Sequence, residues 1–326
     1  MWLMYLPPSL YILGLVLRFR GLSFTAVNPA LPGSGFIGEH KSLGLGLFEQ
    51  ADPEFVARFV LIADSLSVEE RVAKAKAFMA TEELDYPVVL KPDYGQRGLD
   101  VCVVRDATAL QAYLSESTVD IIIQEHIGGV EFGVFYTRYP NAEKGSIFSI
   151  TAKHFPVLHG DGIRSLEQLI LENPRTHYMA RFLLDLHHDK LAMVLADSEA
   201  FQTVEIGSHC RGSLFLDGWD KLSPALEARI DTLCQHVPGF CFGRFDIRAE
   251  REQGFVDGSA FKILEVNGVT SEATHIYDPQ NSVFYAWRIL CKQWKLAFEI
   301  GAQQRSLGHK GLSLFELLAK VRTMNS

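Results

Sequence analysis

Two short segments near the C-terminal end of the chain carry acidic and amide side chains at alternate positions. The first contains Asp246 in Gly-Arg-Phe-Asp-Ile, and the second contains Glu265 and Asn267 in Ile-Leu-Glu-Val-Asn-Gly. β-Branched and aromatic residues dominate both segments and the turn-rich stretch 251–259 separates them, so the pattern predicts a β-hairpin. Because side chains alternate between the two faces of a strand, Glu265 and Asn267 project to one side, as do Arg244 and Asp246. The sequence therefore predicts three oxygen ligands and one guanidinium on a single patch of sheet.

Carboxylate and amide oxygens are ligands that suit Mg²⁺, whose coordination is normally completed by water and by nucleotide phosphates. The same short pattern is also typical of a solvated hairpin with ordinary surface charge. The segments upstream decide between these two interpretations.

The size and composition of the chain exclude several classes of protein. With 326 residues, 48% of them hydrophobic and 21% charged, the chain can bury a sizeable core and divide into two or three lobes. A formal net charge of -8 and dispersed Lys and Arg residues argue against nucleic acid as a partner, because phosphate backbones bind to basic faces. The five cysteines are odd in number and show no C-x-x-C spacing, which predicts reduced thiols in a cytoplasmic protein.

The N-terminal segment from Trp2 to Leu17 is mostly apolar and is followed by Arg18 and Arg20. It is short for a transmembrane helix, it contains Pro7-Pro8, and its positive charge follows the apolar run, whereas a secretory signal has its charge ahead of that run. We interpret it as a buried helix. Association of residues 2–20 with a membrane or a partner surface is the alternative, because an exposed helix of this composition would present a large apolar patch.

A lysine at the end of a short apolar strand precedes a glycine-containing turn. The strand Val88 to Leu90 follows an amphipathic helix predicted over 68–83, and it is followed by Lys91 and Pro92. The glycines in the stretch 93–98 allow backbone N–H groups to approach phosphates, on which Lys91 would act as a point charge. The order differs from a P-loop, in which the lysine follows the glycines, and an ordinary hairpin is the alternative.

The pattern of a second segment is compatible with an adenosine-binding site. A buried strand that ends at Gln124 and Glu125 continues through His126 and Ile127 into a Gly-Gly turn. An extended backbone supplies the donor and the acceptor that the edge of adenine needs, without particular side chains. Glu131, two residues beyond the turn, is positioned to accept hydrogen bonds from ribose hydroxyls.

Arg211 and His209 occur in a loop rich in glycine and serine that follows Val204. Arginine presents a planar fork of donors, which suits an anion pocket for an acyl phosphate or a substrate carboxylate. A hairpin connection with solvated polar residues is the equal alternative.

The order of these parts resembles the ATP-grasp superfamily, most closely the D-alanine:D-alanine ligase-like carboxylate-amine ligases. The features that carry the likeness are Lys91 with its glycine-containing loop, the segment from Gln124 to Glu131, Arg244-x-Asp246 and Glu265-x-Asn267. The resemblance implies an α+β fold of the ATP-grasp type, in which two α+β subdomains hold ATP between them.

The resemblance also implies roles for individual residues. Asp246, Glu265 and Asn267 match the ligands of two Mg²⁺ ions, with Glu265 bridging them, and Arg244 matches an arginine that stabilises the phosphorylated intermediate. Lys153 matches a further cation near the triphosphate, where a solvated strand lysine is the alternative. The residues expected to bind ATP are Lys41, Lys91, Gln124, Glu125, His126, Ile127 and Glu131. For Lys41, the alternative is an exposed lysine without a ligand.

We predict three parts of the chain. Residues 1–51 would be a shortened N-terminal segment, residues 52–125 the small ATP-grasp subdomain, and residues 126–326 the large subdomain with the metal site. The ligases that the chain resembles begin with a longer βαβ-rich domain that binds the first substrate. We therefore expect the missing surface to come from a partner subunit, as in a homo-oligomer, from the apolar N-terminal helix, or not at all.

The sequence after Asn267 departs from the family pattern. A continuation of the Ser-Pro-Gly type is replaced by Gly-Val-Thr-Ser-Glu-Ala-Thr-His-Ile-Tyr-Asp. The pocket for the amine substrate is therefore expected to differ from that of D-alanine ligases. The candidates for lining it are Thr270, Ser271, His275, Tyr277 and Asp278.

The predicted reaction is the ATP- and Mg²⁺-dependent activation of a small-molecule carboxylate as an acyl phosphate, followed by attack of an amine. Phosphoryl transfer depends on positioning and charge neutralisation, which suits a site of cations and metal ligands without a protein nucleophile. One alternative is an ATP-grasp kinase that phosphorylates a small-molecule hydroxyl. The other is an ATP-binding protein without ligase activity, against which Arg244 argues, because pure binding needs no arginine for a transition state.

Overall fold

Eleven strands and eleven α-helices are found in the computed structural model, which describes residues 2–36, 39–95, 98–207 and 212–324. The strands are β1 (Phe59–Ile62), β2 (Val88–Pro92), β3 (Cys102–Val104), β4 (Ile121–Glu125), β5 (Val130–Thr137), β6 (Ser146–His154), β7 (Val157–His159), β8 (Ala200–Gln202), β9 (Leu214–Asp217), β10 (Phe242–Ala249) and β11 (Lys262–Asn267). The helices are α1 (Trp2–Arg18), α2 (Lys41–Ala51), α3 (Val68–Thr81), α4 (Ala107–Glu116), α5 (Leu166–Glu172), α6 (Pro174–His177), α7 (Ala180–Leu186), α8 (Pro224–Gln235), α9 (Glu252–Val256), α10 (Val283–Ser306) and α11 (Leu314–Met324).

Two antiparallel sheets organise the fold. The small sheet has the strand order β1-β4-β2-β3, and the large sheet has the order β11-β10-β5-β6-β9. Strands β7 and β8 pair separately, and together with α5, α6 and α7 they surround a satellite core between β6 and β9. The division of the chain at residues 51 and 125 stays a prediction.

The small sheet is covered by α3 and α4. Ser67 and Glu70 form the predicted capping box at the start of α3, because the hydroxyl accepts from the Glu70 N–H and the carboxylate accepts from the Ser67 N–H. The helix ends at Thr81, two residues before the predicted end. Glu83 has a φ of 52°, in the left-handed region, so the helix cannot continue through it.

The predicted hairpin between β10 and β11 is confirmed. Arg244 pairs with Asn267 and Asp246 pairs with Glu265, so all four side chains lie on one face of the large sheet. A register shift follows Asp246, and the short helix α9 occupies part of the turn-rich connection. Residues of β5 and β6 continue the same face, because β5 pairs with both β10 and β6.

The N-terminal segment is a helix that buries one face. Leu15 packs in a core with Phe24 and Phe298, whereas a stripe of leucines along the other face is exposed, each by more than half: Leu6, Leu10, Leu13 and Leu17. The interpretation as a buried helix is therefore correct for one face only. In the described part of the chain, no helix has both the length and the apolar character needed to cross a membrane.

The two prolines inside α1 are compatible with its contacts. Pro8 has no N–H to donate to the carbonyl of Met4 four residues earlier, which leaves that oxygen available. The indole Nε1 of Trp287 in α10 donates to it at 2.8 Å. The helix start is thereby tied to α10, at one end of the cleft described below.

Candidate functional site

A cleft of about 810 Å³ lies between the two sheets. In the described part of the chain, every residue predicted to bind ATP or metal or to act in catalysis lines it: Lys41, Lys91, Gln124, Glu125, His126, Ile127, Glu131, Lys153, Arg244, Asp246, Glu265 and Asn267. Arg211 and its neighbour His209 lie outside the described residues. The fold thus brings together groups that are separated by more than two hundred positions in the chain.

The two lysines predicted to contact phosphates are held on a common support. Asp93, just beyond β2, accepts from the Ser42 N–H at 2.7 Å, so it caps the helix that begins at Lys41. The Nζ of Lys41 donates to the Gly95 carbonyl at 2.7 Å. Lys41 is buried, which rules out an exposed lysine at this position. These two hydrogen bonds therefore hold the start of α2 against the end of β2.

Lys91 crosses the cleft from the small sheet. Its Nζ donates to the Gln124 side-chain oxygen at 2.8 Å and to the Leu264 carbonyl at 2.9 Å. Burial lowers the pKa of Lys91 to about 8, an effect that the carboxylate of Glu265 opposes and the charge of Lys41 reinforces. The charged form of this lysine is therefore less favourable than usual until an anion enters the cleft.

Asp246 lies between two cations. Its Oδ1 accepts from Arg244 Nε at 3.0 Å and lies 3.1 Å from Lys153 Nζ. Burial by itself would raise the pKa of Asp246, but the charges of Arg244 and Lys153 outweigh it and lower that pKa to about 2. Lys153 is buried, so the alternative of a solvated strand lysine is ruled out.

The donor chemistry of Asp246, Glu265 and Asn267 fits a hard divalent cation. The Nδ2 of Asn267 is buried without a hydrogen-bond partner in the described part of the chain. Because the oxygen and nitrogen of an amide exchange places on a flip, this group can present its oxygen to a cation. The described residues contain no cluster of three or more His, Cys, Asp and Glu side chains for a metal. Two carboxylates and one amide suit Mg²⁺ completed by phosphates and water.

Glu131 is fully paired in the structure. Its Oε1 accepts from Lys153 at 2.8 Å, and its Oε2 accepts from Arg248 Nε at 2.8 Å. Arg248 also donates to the Ile127 carbonyl at 2.9 Å, so it links the ribose candidate to the adenine candidate. Arg248 was missed by the sequence analysis, although it continues the alternation of Arg244 and Asp246 along β10. The role of Glu131 toward ribose stays a prediction.

Two valines lie at the end of the cleft where the sequence predicts an adenine site. Val89 and Val103 of the small sheet line the cleft together with residues 125–127. The Glu125 side chain is turned to Arg58, whose Nη2 donates to it at 2.8 Å. Burial, followed by the charge of Arg248, lowers the pKa of His126, which favours its neutral form.

Glu39 also lines the cleft, although the sequence analysis did not identify it. Its carboxylate accepts from the Gly268 N–H, directly after the metal-ligand candidate Asn267. Burial raises the pKa of Glu39 to about 7, the carboxylate of Glu265 adds to the rise, and the Gly268 N–H opposes it. No local pattern marks this residue, because it reaches β11 only through the fold.

The far end of the cleft is lined by α1 and by the segment after β11. Thr270, Ser271 and Tyr277 line it, as predicted, and so do Tyr5 and Glu272. Two further candidates, His275 and Asp278, are not among the described residues that line it, so the prediction is wrong for them. His275 pairs with the Tyr285 hydroxyl at 3.1 Å, and Asp278 accepts from the Asp217 N–H at 2.8 Å.

One protein-family model matches a part of the chain. Residues 56–131 match the model of the RimK-like ATP-grasp domain. No curated protein matches the sequence.

Solved structures of ligases resemble the chain at low identity. A D-alanine–D-alanine ligase from Bacillus anthracis is 14% identical, with 83% of this chain and 70% of that chain covered and a TM-score of 0.47. The VanG D-Ala:D-Ser ligase from Enterococcus faecalis is 14% identical, with 78% and 61% covered and a TM-score of 0.44. A bifunctional glutathione synthetase from Pasteurella multocida is 14% identical, with 77% and 35% covered and a TM-score of 0.38. The chain therefore spans less than two thirds of the length of the last two proteins.

The family match begins before β1 and ends at Glu131, so it contains Lys91 and the whole predicted adenosine segment. The large sheet then supplies the opposite wall of the cleft, as the sequence predicted. The chain has an α+β ATP-grasp fold, and its predicted resemblance to the ATP-grasp superfamily is confirmed.

Proposed function

We propose that the protein is an ATP- and Mg²⁺-dependent carboxylate-amine ligase that forms an amide or peptide-like bond through an acyl phosphate. The observation that supports this proposal is the convergence of four cationic side chains and three oxygen ligands on one cleft. These residues are Lys41, Lys91, Lys153, Arg244, Asp246, Glu265 and Asn267. A polyphosphate would offset the cost of holding several buried cations close together.

ATP would lie with its base at the valine-lined end of the cleft and its phosphates toward the lysines. The backbone of residues 125–127 would bind the adenine edge, and Glu131 would be close to the ribose. Lys41 and Lys91 would bind phosphate oxygens from the side of the small sheet. Lys153 would approach the phosphates from the large sheet, since it sits beside Asp246 at 3.1 Å.

Mg²⁺ would be held by Asp246, Glu265 and Asn267. When bound there, the metal would neutralise charge on the phosphates and so make the terminal phosphorus easier to attack. The carboxylate of Asp246 is ionised at neutral pH because its pKa is about 2, as a metal ligand requires. Arg244 would place its guanidinium against the transferring group and the acyl phosphate.

The reaction would have two steps. A carboxylate oxygen of the first substrate attacks the terminal phosphorus of ATP, the bond to ADP breaks, and an acyl phosphate forms. A neutral amine then attacks the acyl carbon, inorganic phosphate leaves, and the nitrogen gives its proton to the leaving phosphate as the amide forms. The residues named here act by positioning and by charge stabilisation, so no protein nucleophile is required.

The test is product analysis with purified protein, Mg-ATP and mixtures of carboxylates and amines. We expect ADP, free phosphate and an amide in equal amounts, with the amide identified by mass spectrometry. Asp246→Asn should lower kcat by about 100-fold or more, as for the loss of a transition-state contact. The exposed Asp185→Asn is the control.

Two other outcomes would overturn the ligase assignment. ADP with a phosphorylated product and no free phosphate would identify a small-molecule kinase. Binding of ATP without any turnover across the substrate mixtures would identify an ATP-binding protein without ligase activity. The cytoplasmic location and the homo-oligomeric state expected from the sequence stay predictions.

A further inference from the structure

Three hydrogen-bonded side chains close the end of the cleft that lies away from the adenine site. Tyr277 donates to Glu272 Oε2 at 2.6 Å, Tyr5 donates to the same oxygen at 3.3 Å, and the two phenolic oxygens lie 2.6 Å apart. All three residues line the cleft and are only partly buried. We refer to Tyr5, Glu272 and Tyr277 as the Tyr-Glu-Tyr cluster.

The carboxylate of Glu272 forms no salt bridge in the described part of the chain, although the nearby Arg244 interacts with it electrostatically. No Lys, Arg or His nitrogen of the described residues lies within 4.0 Å of it, and its Oε1 has no hydrogen-bond partner there. Two other carboxylates that line the cleft, Glu131 and Asp246, differ because they pair with cations of the protein, whereas Glu39 has no such pair among the described residues. Removing an ionised carboxylate from water is costly unless a cation pairs with it. Glu272 is therefore suited to a cation that arrives with a ligand.

Arg244 connects this cluster to the proposed reaction centre. Its Nε donates to Asp246 at 3.0 Å, while its Nη1 donates to the Glu272 carbonyl at 3.1 Å. One guanidinium thus contacts both the metal-ligand candidate and the backbone of the cluster. A group held by Glu272 would lie next to the acyl phosphate and opposite the nucleotide.

We propose that the Tyr-Glu-Tyr cluster binds the primary amino group of the amine substrate as an ammonium, which passes one proton to Glu272 before the neutral amine attacks. This inference rests on the proposed ligase function and specifies its substrate class. An ammonium has three N–H donors, which match Glu272 Oε1 and the phenolic oxygens of Tyr5 and Tyr277. The negative charge of Glu272 repels a carboxylate, so the acid substrate would be directed to Arg244.

The inference also gives the N-terminal helix a role in the cleft. Tyr5 belongs to α1, and the bond from Trp287 Nε1 to the Met4 carbonyl holds this part of the helix in place. The first turns of α1 and the residues after β11 therefore line the same end of the cleft. The sequence left open whether a partner subunit, the apolar N-terminal helix or neither supplies the missing substrate-binding surface. This arrangement favours the N-terminal helix.

The experiment uses the full chain and three small probes of equal length that differ in charge: n-butylammonium, 1-butanol and butyrate. Binding is measured by ligand-observed NMR titration, with and without Mg²⁺ and a non-hydrolysable ATP analogue. We expect n-butylammonium to bind, and 1-butanol and butyrate to bind at least tenfold more weakly. Equal binding of the three probes would overturn the proposal.

Variants locate the binding site. Glu272→Gln should weaken n-butylammonium at least tenfold, whereas Glu272→Asp, which retains the charge, should recover part of the affinity. The exposed Glu116→Gln is the matched control. Wild-type affinity in Glu272→Gln would overturn the proposal, whatever its effect on thermal stability.

Tyr5→Phe separates binding from a purely structural role for the cluster. The proposal predicts a weaker affinity for n-butylammonium, and the exposed Tyr178→Phe should have no effect. If the cluster only anchors α1, Tyr5→Phe would lower Tm and leave the affinity unchanged. Titration of the ATP analogue alone tests the proposed function separately. Absence of nucleotide binding would reject that function, and the probe titration would still show whether the cluster binds an amine.

Discussion

Lys91 of the small sheet donates to the backbone carbonyl of Leu264 in the large sheet at 2.9 Å, so one buried ammonium joins the two walls of the cleft. Each wall by itself presents only part of the proposed ATP site. The position of Lys91 makes its charge state sensitive to whatever occupies the space between the sheets. Several measurable consequences follow from contacts of this kind.

Nucleotide binding should take up protons through Lys91. Its pKa of about 8 in the structure means that about half of the molecules carry the proton at pH 8, and a bound polyphosphate raises that pKa. Calorimetry of an ATP analogue at pH 8, in two buffers of different ionisation enthalpy, should therefore show an uptake of about half a proton. Lys91→Met should abolish the uptake, and the exposed Lys74→Met should retain it. An undiminished uptake in Lys91→Met would assign the proton to another group.

Removal of Lys153 should destabilise the protein. Glu131 and Asp246 both pair with its Nζ, so Lys153→Met leaves the buried Glu131 and the partly buried Asp246 with one cation fewer. Breaking a buried ion pair in this way costs about 3 to 5 kcal/mol, and urea unfolding monitored by circular dichroism measures the loss. The exposed Lys144→Met should change the free energy of unfolding by less than about 0.5 kcal/mol. Equal stability of the two variants would contradict the ion-pair arrangement.

Glu39 should lower the free energy of unfolding as pH rises, whereas a salt-bridged carboxylate raises it. Its pKa in the folded state, about 7, lies above its ordinary value of 4.5, so its favourable contribution is complete below pH 4.5 and is lost as pH rises through 7. Glu39→Gln keeps an oxygen acceptor for Gly268 and removes the titration. We compare the free energy of unfolding of this variant with that of wild type at each pH. Between pH 5 and pH 8 this difference should shift by about 2 to 3 kcal/mol in favour of the variant.

Urea unfolding at pH 5 and pH 8 is the measurement for Glu39. Exposed Glu143→Gln serves as the control and should show the same difference from wild type at both pH values. A pH-independent effect of Glu39→Gln would show that the carboxyl group is not titrating in this range.

Gly243 should be essential to the metal-ligand strand pair. A Cβ at this position would clash with the carbonyl oxygen of Asn267, so Gly243→Ala must displace β11. Overpacking of this kind costs about 1 to 3 kcal/mol in the free energy of unfolding. Gly46→Ala is the matched glycine control, because a Cβ there meets no atom within 4 Å, and in the helix α2 it should stabilise by about 0.5 to 1 kcal/mol. Thermal unfolding of both variants should therefore give shifts of opposite sign.

Much of the local structure followed from short stretches of residues. The alternation around Asp246 and Glu265 predicted two strands and their shared face, and the register of β10 and β11 confirmed it. Ser67 and Glu70 predicted the start of α3, since a capping box is complete within four positions. The exposed face of α1 was not predicted, because the leucines on both faces of that helix are equally apolar in the sequence.

Residue order was sufficient for features that depend on neighbours in the chain, namely the strands, the helix cap, the metal-ligand alternation and the ATP-grasp resemblance. Packing in three dimensions was needed to bring Tyr5 to Glu272, which lies 267 positions away, and Glu39 to the end of β11. Contacts of that range depend on how sheets and helices stack, and no local pattern encodes which distant side chain will fill a given space. The composition of the amine end of the cleft was therefore a property of the folded chain.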